Sequence, residues 1–372
     1  METIFITGSH GIVGRELVRS VARACTGRAR IVLLLRGDAL EVRAKLMRVR
    51  CHVGDARCEI NAVPGDVTSP RLGIDEGTYA QLTRDVTMIL HAAADTGFRQ
   101  SREDAGRVNV KGTAHVLELA RLCVHNPRFG YLGTAFVAGG RTGEIAEDAC
   151  GVEGPFFTEY ERSKAFAEAL VRDASRSLPV SILRLGIVVG RQTDGVIGTF
   201  DGPYRVFKLA QHGLLAMLPG DPSQPVDFVP VDFAADAITW LMRDGFRAGE
   251  TFHVCAGPHR SLPLGAIMPL VMARFAALDP AFRAHGYPAP VVVTPEVFRD
   301  FVDTIEQVGN PRLRSVLENL QTFTRHLSAP KRFSTARLDR ALEGSGLSLQ
   351  HAQDFLPTLV DHAVRARFEV SA

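Results

Sequence analysis

Thr3-Ile4-Phe5-Ile6-Thr7-Gly8-Ser9-His10-Gly11-Ile12-Val13-Gly14 is the stretch on which the reading of this chain turns. Its first five residues form a short β-branched and aromatic run, which predicts a buried strand. Three glycines follow at intervals of three. Arg15-Glu-Leu-Val-Arg-Ser-Val-Ala22 then continues with helical spacing. Strand, glycine turn, helix is the context that a dinucleotide fingerprint requires. The glycines let the backbone turn tightly and approach a pyrophosphate, whose charge the helix N-terminus favours. The spacing is Gly-x-x-Gly-x-x-Gly rather than Gly-x-Gly-x-x-Gly. Gly8, Ser9, Gly11, Ile12, Val13 and Gly14 are the candidate cofactor-binding residues of this turn.

A second strand, Ile31-Val-Leu-Leu-Leu35, ends at Arg36-Gly37. A cofactor without a 2′-phosphate usually meets an acidic residue near this point, accepting from the ribose hydroxyl. Here Arg36 comes first and Asp38 two residues later. Guanidinium geometry suits a phosphate, so NADPH is expected in preference to NADH.

Further strands are predicted at Glu59–Val63, Asp85–His91, Phe129–Gly133 and Pro179–Leu185, with a helix from Arg102 to His125. Strands alternating with helices argue for an α/β fold, a Rossmann-type doubly wound parallel sheet covered on both faces. From Gly190 the pattern loosens, and Leu218-Pro-Gly-Asp-Pro-Ser-Gln-Pro225 reads as a loop or lid. The last hundred residues read as mostly helical, with basic stretches at Lys331-Arg332 and from Arg337 to Arg340. The expected division is a cofactor-binding domain over 1–190, rejoined by 227–256, and a smaller, mostly helical substrate-binding region over 191–226 and 257–372.

The chain has 372 residues, a formal charge of +2 and 46% apolar residues. That profile gives no electrostatic argument for nucleic acid. No apolar run approaches the ~20 residues of a membrane helix, so no membrane insertion is expected. The first strand begins almost at Met1, leaving no room for a leader, and a cytoplasmic location is expected. The six cysteines contain no Cys-x-x-Cys pair. Cys51-His52 with Cys58 has poor ligand spacing, and no metal is expected.

Tyr160 and Lys164 lie one turn apart on a predicted helix and share a face. An ammonium beside a phenol favours the phenolate, bringing a group that normally titrates near 10 toward useful acid–base chemistry. Thr134 follows the strand at Phe129–Gly133, so it belongs at the carboxyl end of the sheet, where open α/β folds bind ligands. A hydroxyl, a phenol and an ammonium beside a nicotinamide make a proton-handling site for hydride transfer to a carbonyl.

In order, Thr7-Gly8-x-x-Gly11-x-x-Gly14, Asp66-Val67, His91-Ala-Ala-Ala94, Asn109-Val-Lys-Gly-Thr113, Thr134 and Tyr160-x-x-x-Lys164 resemble an extended short-chain dehydrogenase/reductase. Ser69–Ile74, Gly133–Val137, Leu183–Gly190 and Asp227–Asp232 are similar to stretches of the thioester reductase and fatty acyl-CoA reductase branch. These motifs run from residue 3 to about 256. The resemblance implies that Gly8, Gly11 and Gly14 hold the pyrophosphate, Arg36 the 2′-phosphate and Asp66-Val67 the adenine. Ala92 and Ala93 would line the cofactor cleft, and Asn109 would support the active-site helix as part of the cofactor-binding set. Tyr160 would donate the proton, Thr134 would bind the substrate oxygen, and Lys164 would bind ribose hydroxyls while lowering the Tyr160 pKa.

The sequence departs from the branch where Gly133 replaces a common serine, Ala165 a common tryptophan, and Leu185-Gly186 a common Pro-Ser. The resemblance implies an NADPH-dependent reductase taking an acyl thioester, on coenzyme A or a separate acyl or peptidyl carrier protein, to an aldehyde, which a second round could take to an alcohol. The same core motifs serve reduction of a ketone or aldehyde, and epimerisation or dehydration of a nucleotide sugar. A non-catalytic NADPH-binding regulator is a third reading, against which the intact Thr134, Tyr160 and Lys164 argue. The basic face of Arg43, Lys45, Arg48 and Arg50 reads as a solvated surface or as a place to meet an acidic carrier.

Overall fold

A computed structural model of the chain describes residues 1–98, 100–148, 150–308, 326 and 329–369. Seven parallel strands form the central sheet: β1 (Glu2–Thr7), β2 (Ala29–Leu35), β3 (Glu59–Pro64), β4 (Met88–His91), β5 (Arg128–Thr134), β6 (Val180–Leu185) and β7 (Thr251–Val254). Their order across the sheet is β7-β6-β5-β4-β1-β2-β3. The order reverses beside β1, and such a switch point opens a crevice at the carboxyl ends of the strands.

Alternation along the strands builds two cores. Ile4, Ile6, Ile31, Leu33 and Leu35 face one side, with Leu17, Val18 and Val21 of helix α1 (Ile12–Ala24) and the apolar face of Val231–Met242. Phe5, Val32, Leu34 and Ile89 face the other side, with residues of α2 (Gly112–Leu122) and α3 (Glu159–Ala174). Each such fully buried side chain contributes about 1.5–3 kcal/mol. Both faces of the sheet are therefore covered by helices, as the near-continuous apolar strands require.

Register sets the site. Thr7 pairs with His91 across β1 and β4, and His91 with Tyr131 across β4 and β5. β5 then runs three residues further, to Thr134 beside Leu185. At about 3.3 Å per residue, Thr134 projects about 10 Å past the level of Thr7.

Some element boundaries differ from expectation. The strand expected from Asp85 starts at Met88, because Asp75 caps a helix over Glu76–Asp85 by accepting from Thr78 N. The helix expected to His125 runs from Arg102 to Leu122 and carries a π-turn at Gly106–Lys111. Met217–Pro219 pairs with Val291–Val293, and Pro225–Val226 with Leu262–Pro263, so strand pairing holds both ends of the expected loop over 218–225. Phe228–Pro230 pairs with Ile187–Val189. Helices occupy Leu264–Leu278, Pro280–His285, Pro295–Val308, Ala336–Ala341 and Ala352–Arg365. The helical expectation for 309–325 lies outside the described residues.

Candidate active site

Gly8 adopts φ +74°, and a Cβ there would lie 2.5 Å from the backbone of both Ala92 and Ala93. A Cβ at Gly14 would lie 2.0 Å from Gly8 O. The turn is thus pressed against the β4 loop on one side and against α1 on the other. At Gly11 a Cβ would meet only Gly8 O, at 3.4 Å, and this residue caps α1 without any side-chain hydrogen bond. Free N–H groups at the start of α1 therefore face the open part of the turn. Ser9 Oγ is buried with no partner among the described residues, and Ile12 lines the cavity beyond. An uncapped helix start, a buried orphan hydroxyl and room beside Gly11 fit a dinucleotide phosphate.

Arg36 is exposed at the end of β2, while Asp38 is engaged as the cap of helix Ala39–Val53, accepting from Glu41 N at 2.9 Å. Lys45 Nζ donates to Arg36 O at 2.5 Å. Arg50 donates to Ile60 O at 2.6 Å. His10 is held below the usual imidazole value by burial first, then by Arg15, Lys45 and Arg48. Lys45 and Arg48 of the basic helix face thus add to the positive potential at His10.

Asp66 accepts from Thr68 N at 2.8 Å, and Val67 O accepts from His115 Nδ1 at 2.8 Å. Ala92 and Ala93 hang from β1, Ala93 N donating to Thr7 Oγ1 at 3.2 Å. His91, 1% exposed, stands 2.8 Å from Thr7 Oγ1 and 3.0 Å from Thr113 Oγ1. Burial pushes this imidazole down to about 3, so it stays neutral. Asn109, on the π-turn, accepts from Asp95 N at 2.8 Å and donates to Asp95 O at 3.0 Å and to Ser163 Oγ at 2.8 Å. Ser163 Oγ donates in turn to Tyr160 O. Asn109 therefore ties the β4 loop to the helix that carries Tyr160.

Helix α3 starts in a capping box. Thr158 Oγ1 accepts from Glu161 N, and the Glu161 carboxylate accepts from the Thr158 N–H. Such a cap contributes about 1 kcal/mol and fixes where the helix begins. Tyr160 and Thr134 consequently line one cavity of about 660 Å³. Thr134 Oγ1 accepts from Phe136 N at 3.2 Å and donates to Leu185 O at 3.5 Å.

The expected coupling of phenol and ammonium is not what this arrangement produces. Burial pushes Tyr160 up to about 12, against the opposing pull of Thr134. Burial pushes Lys164 down to about 7. Lys164 Nζ donates to Leu132 O at 2.8 Å and lies 4.3 Å from the Tyr131 ring centroid. Desolvation outweighs charge pairing here because the ammonium turns toward the sheet.

Much of the remaining cavity wall is apolar, with Asp201, Arg205, Gln224, His326 and Lys331 among its polar members. Ile197, Val206, Phe207, Leu218, Ile267 and Met268 contribute to it. Gly186 and Asp227 also border the cavity, and a Cβ at Gly186 would lie 2.4 Å from Asp227 Oδ1. Asp227 accepts from Ala256 N and Gly257 N, at 2.8 and 2.9 Å. A serine at 186 would strike this carboxylate, which accounts for the glycine. At Gly133 a Cβ would make only ordinary contacts, from 3.4 Å upward. Among the described residues no three His, Cys, Asp or Glu side chains converge as a metal site. No helix among them is long and apolar enough to cross a membrane.

The NAD-binding family described as "Male sterility protein" matches residues 6–238. The chain belongs to this family. With it comes a place among the extended short-chain dehydrogenase/reductases, on the thioester reductase branch, a nicotinamide-dependent oxidoreductase lineage. The chain is 28% identical over 276 residues to fatty acyl-CoA reductase wat of Drosophila melanogaster, covering 63% of this chain and 53% of that protein. It is 29% identical over 249 residues to isonitrile lipopeptide synthase of Streptomyces coeruleorubidus, covering 64% of this chain and 16% of that protein. The chain thus spans about half or less of the length of these relatives. The crystal structure of the terminal R domain from the myxalamid PKS-NRPS biosynthetic pathway superposes with TM-score 0.78 at 25% identity, covering 99% of this chain and 92% of that one.

Sequence reading gave no role to His91 or Ser163 and passed over Glu161 and His326. The Thr158-x-x-Glu161 spacing of a capping box was the available signal for Glu161. His326 comes from a distant segment with no motif around it.

Proposed function

We propose that the chain is an NADPH-dependent reductase of an acyl thioester, carried on coenzyme A or on a separate carrier protein. One observation carries this reading: Thr134 and Tyr160 open into a cavity that Ile197, Val206, Phe207, Leu218, Ile267 and Met268 line with apolar surface. A proton donor at one end and an acyl-sized slot at the other suit a carbonyl attached to a hydrocarbon chain. The names of the fatty acyl-CoA reductase and lipopeptide synthase relatives support the same substrate class. Preference for NADPH rests on Arg36, on the use of Asp38 as a cap, and on the positive surroundings of His10.

NADPH, when bound, supplies the hydride. Gly8, Ser9, Gly11, Ile12, Val13 and Gly14 hold its pyrophosphate, Asp66 and Val67 the adenine, and Lys164 the nicotinamide ribose. Ala92 and Ala93 leave the cleft open, and Asn109 fixes its wall. Thr134 orients the thioester oxygen, and Tyr160 gives it a proton as the tetrahedral carbon forms. An alkoxide is a strong base, so a phenol raised to about 12 still protonates it. The hemithioacetal collapses to aldehyde and thiol, and a second round gives the alcohol. Residues 1–190 with 227–256 serve the cofactor, and 191–226 with 257–372 serve the acyl chain.

The test follows NADPH absorbance with acyl-CoA and carrier-bound thioesters of graded chain length. Turnover is expected with thioesters and not with nucleotide sugars. Tyr160→Phe is expected to lower kcat/KM by about 10²–10⁴-fold with NADPH affinity unchanged. Full turnover by that variant would remove Tyr160 from the chemistry.

A further inference from the structure

Behind the Tyr160 ring stands a second group of ionisable side chains that hydride transfer does not use. Glu161 is fully buried although it follows Tyr160 directly. Its Oε2 accepts from the backbone N–H of Phe157 at 2.7 Å and of Thr158 at 3.3 Å. Its Oε1 has no part in the cap and stands 3.1 Å from Nδ1 of His326. The two atoms are at hydrogen-bond distance but off the hydrogen-bond axis, and neither has another hydrogen-bond partner among the described residues. Such pairs in unliganded sites often align only when substrate binds.

His326 is 8% exposed and lines the same cavity as Tyr160. Its ring packs against Phe136, Phe157 and Phe98 at centroid distances of 5.2, 5.4 and 6.0 Å. Phe98 also meets the Tyr160 ring edge-on at 5.7 Å, so one aromatic side chain links the two. His326 Nε2 likewise has no partner among the described residues.

Burial pushes Glu161 up to about 7 and His326 down to about 4, with Lys331 adding to the lowering of the imidazole. Both shifts favour the neutral forms of the pair. Oε2 receives two N–H groups, so a carboxyl proton sits on Oε1, facing a bare Nδ1. The imidazole then carries its own proton on Nε2.

We propose that His326 protonates the departing thiolate through Nε2, and that Glu161 resupplies the proton through Nδ1. The proposal rests on the thioester reading above. As the hemithioacetal collapses, its hydroxyl proton returns to the Tyr160 phenolate and the carbonyl re-forms. The C–S bond breaks with its electron pair on sulfur. Sulfur takes the Nε2 proton, and Nδ1 takes the Oε1 proton. The products are aldehyde, thiol and a Glu161 carboxylate, which regains its proton from water once they leave. His326 is a catalytic residue in this scheme and Glu161 a positioning and relay residue.

Two thioesters of one fatty acid separate this role from a structural one: the coenzyme A ester, whose alkyl thiolate is basic, and the thiophenyl ester, whose aryl thiolate leaves without help. His326→Asn is expected to slow the coenzyme A ester about 100-fold and the thiophenyl ester less than tenfold. Glu161→Gln keeps an oxygen for the cap and an N–H for Nδ1 but delivers no proton, so the same pattern is expected from it. Equal losses on both esters, or no loss on either, would overturn the proposal. A wild-type chain that binds NADPH and oxidises it with neither ester would overturn the thioester reading and this proposal with it.

Discussion

Between Thr7 and Ser163 the cleft is fastened by backbone contacts and hydrogen bonds; between Gly186 and Met268 it is fastened by side-chain volume. On the first side Gly8 touches the Ala92-Ala93 backbone, His91 bridges two threonines, and Asn109 joins Asp95 to Ser163. Each contact needs one residue type at one place. On the second side Ile197, Phe207, Leu218 and Ile267 come from separate segments and share only apolar bulk. Many sequences satisfy such a wall, because cores tolerate swaps that conserve volume. The first side therefore carries most of the motifs, and the second only Leu183–Gly190 and Asp227–Asp232.

The sharpest way to break this contrast is Gly8→Ala. The new methyl meets backbone at 2.5 Å in a left-handed conformation. A loss on the order of 3 kcal/mol is expected, with NADPH binding abolished, measured by urea unfolding and calorimetric titration. Arg36→Ala is expected to cost about 2 kcal/mol of NADPH affinity, roughly thirtyfold, and to leave NADH affinity unchanged. Equal weakening of both cofactors would show that Arg36 does not meet the 2′-phosphate. On the apolar side, Ile267→Trp is expected to lower kcat/KM for the longest acyl chains about tenfold, with short chains and NADPH affinity unaffected.

A pH dependence belongs to His91. Its folded pKa of about 3 lies below the ordinary 6.5, so between these values the unfolded chain binds the extra proton. Stability should rise with pH across that window and level off above it. His91→Gln is expected to flatten this rise, read from urea midpoints at acid and neutral pH. An unchanged slope would show that other groups set it.

The same contrast explains what the sequence made legible. The glycine turn, six of the seven sheet strands and the Thr134–Tyr160 meeting follow from patterns within a few residues. β7 is four residues with a buried histidine, and its place beside β6 depends on a partner about seventy positions earlier. The π-turn is invisible to periodicity, because 3.6-residue spacing predicts a plain helix through Asn109. The direction of the Tyr160 shift needed three dimensions: spacing puts Lys164 on the same helix face, but only the fold turns Nζ toward Leu132. The nearness of Glu161 to His326, 165 positions apart, has no local trace.

Gly186 and Asp227 act as one unit in this chain rather than two. The carboxylate fastens the chain after β7 and occupies the space that a side chain at 186 would take. Placing any side chain at 186 in this chain therefore calls for a smaller residue at 227 and a new anchor for Ala256 and Gly257.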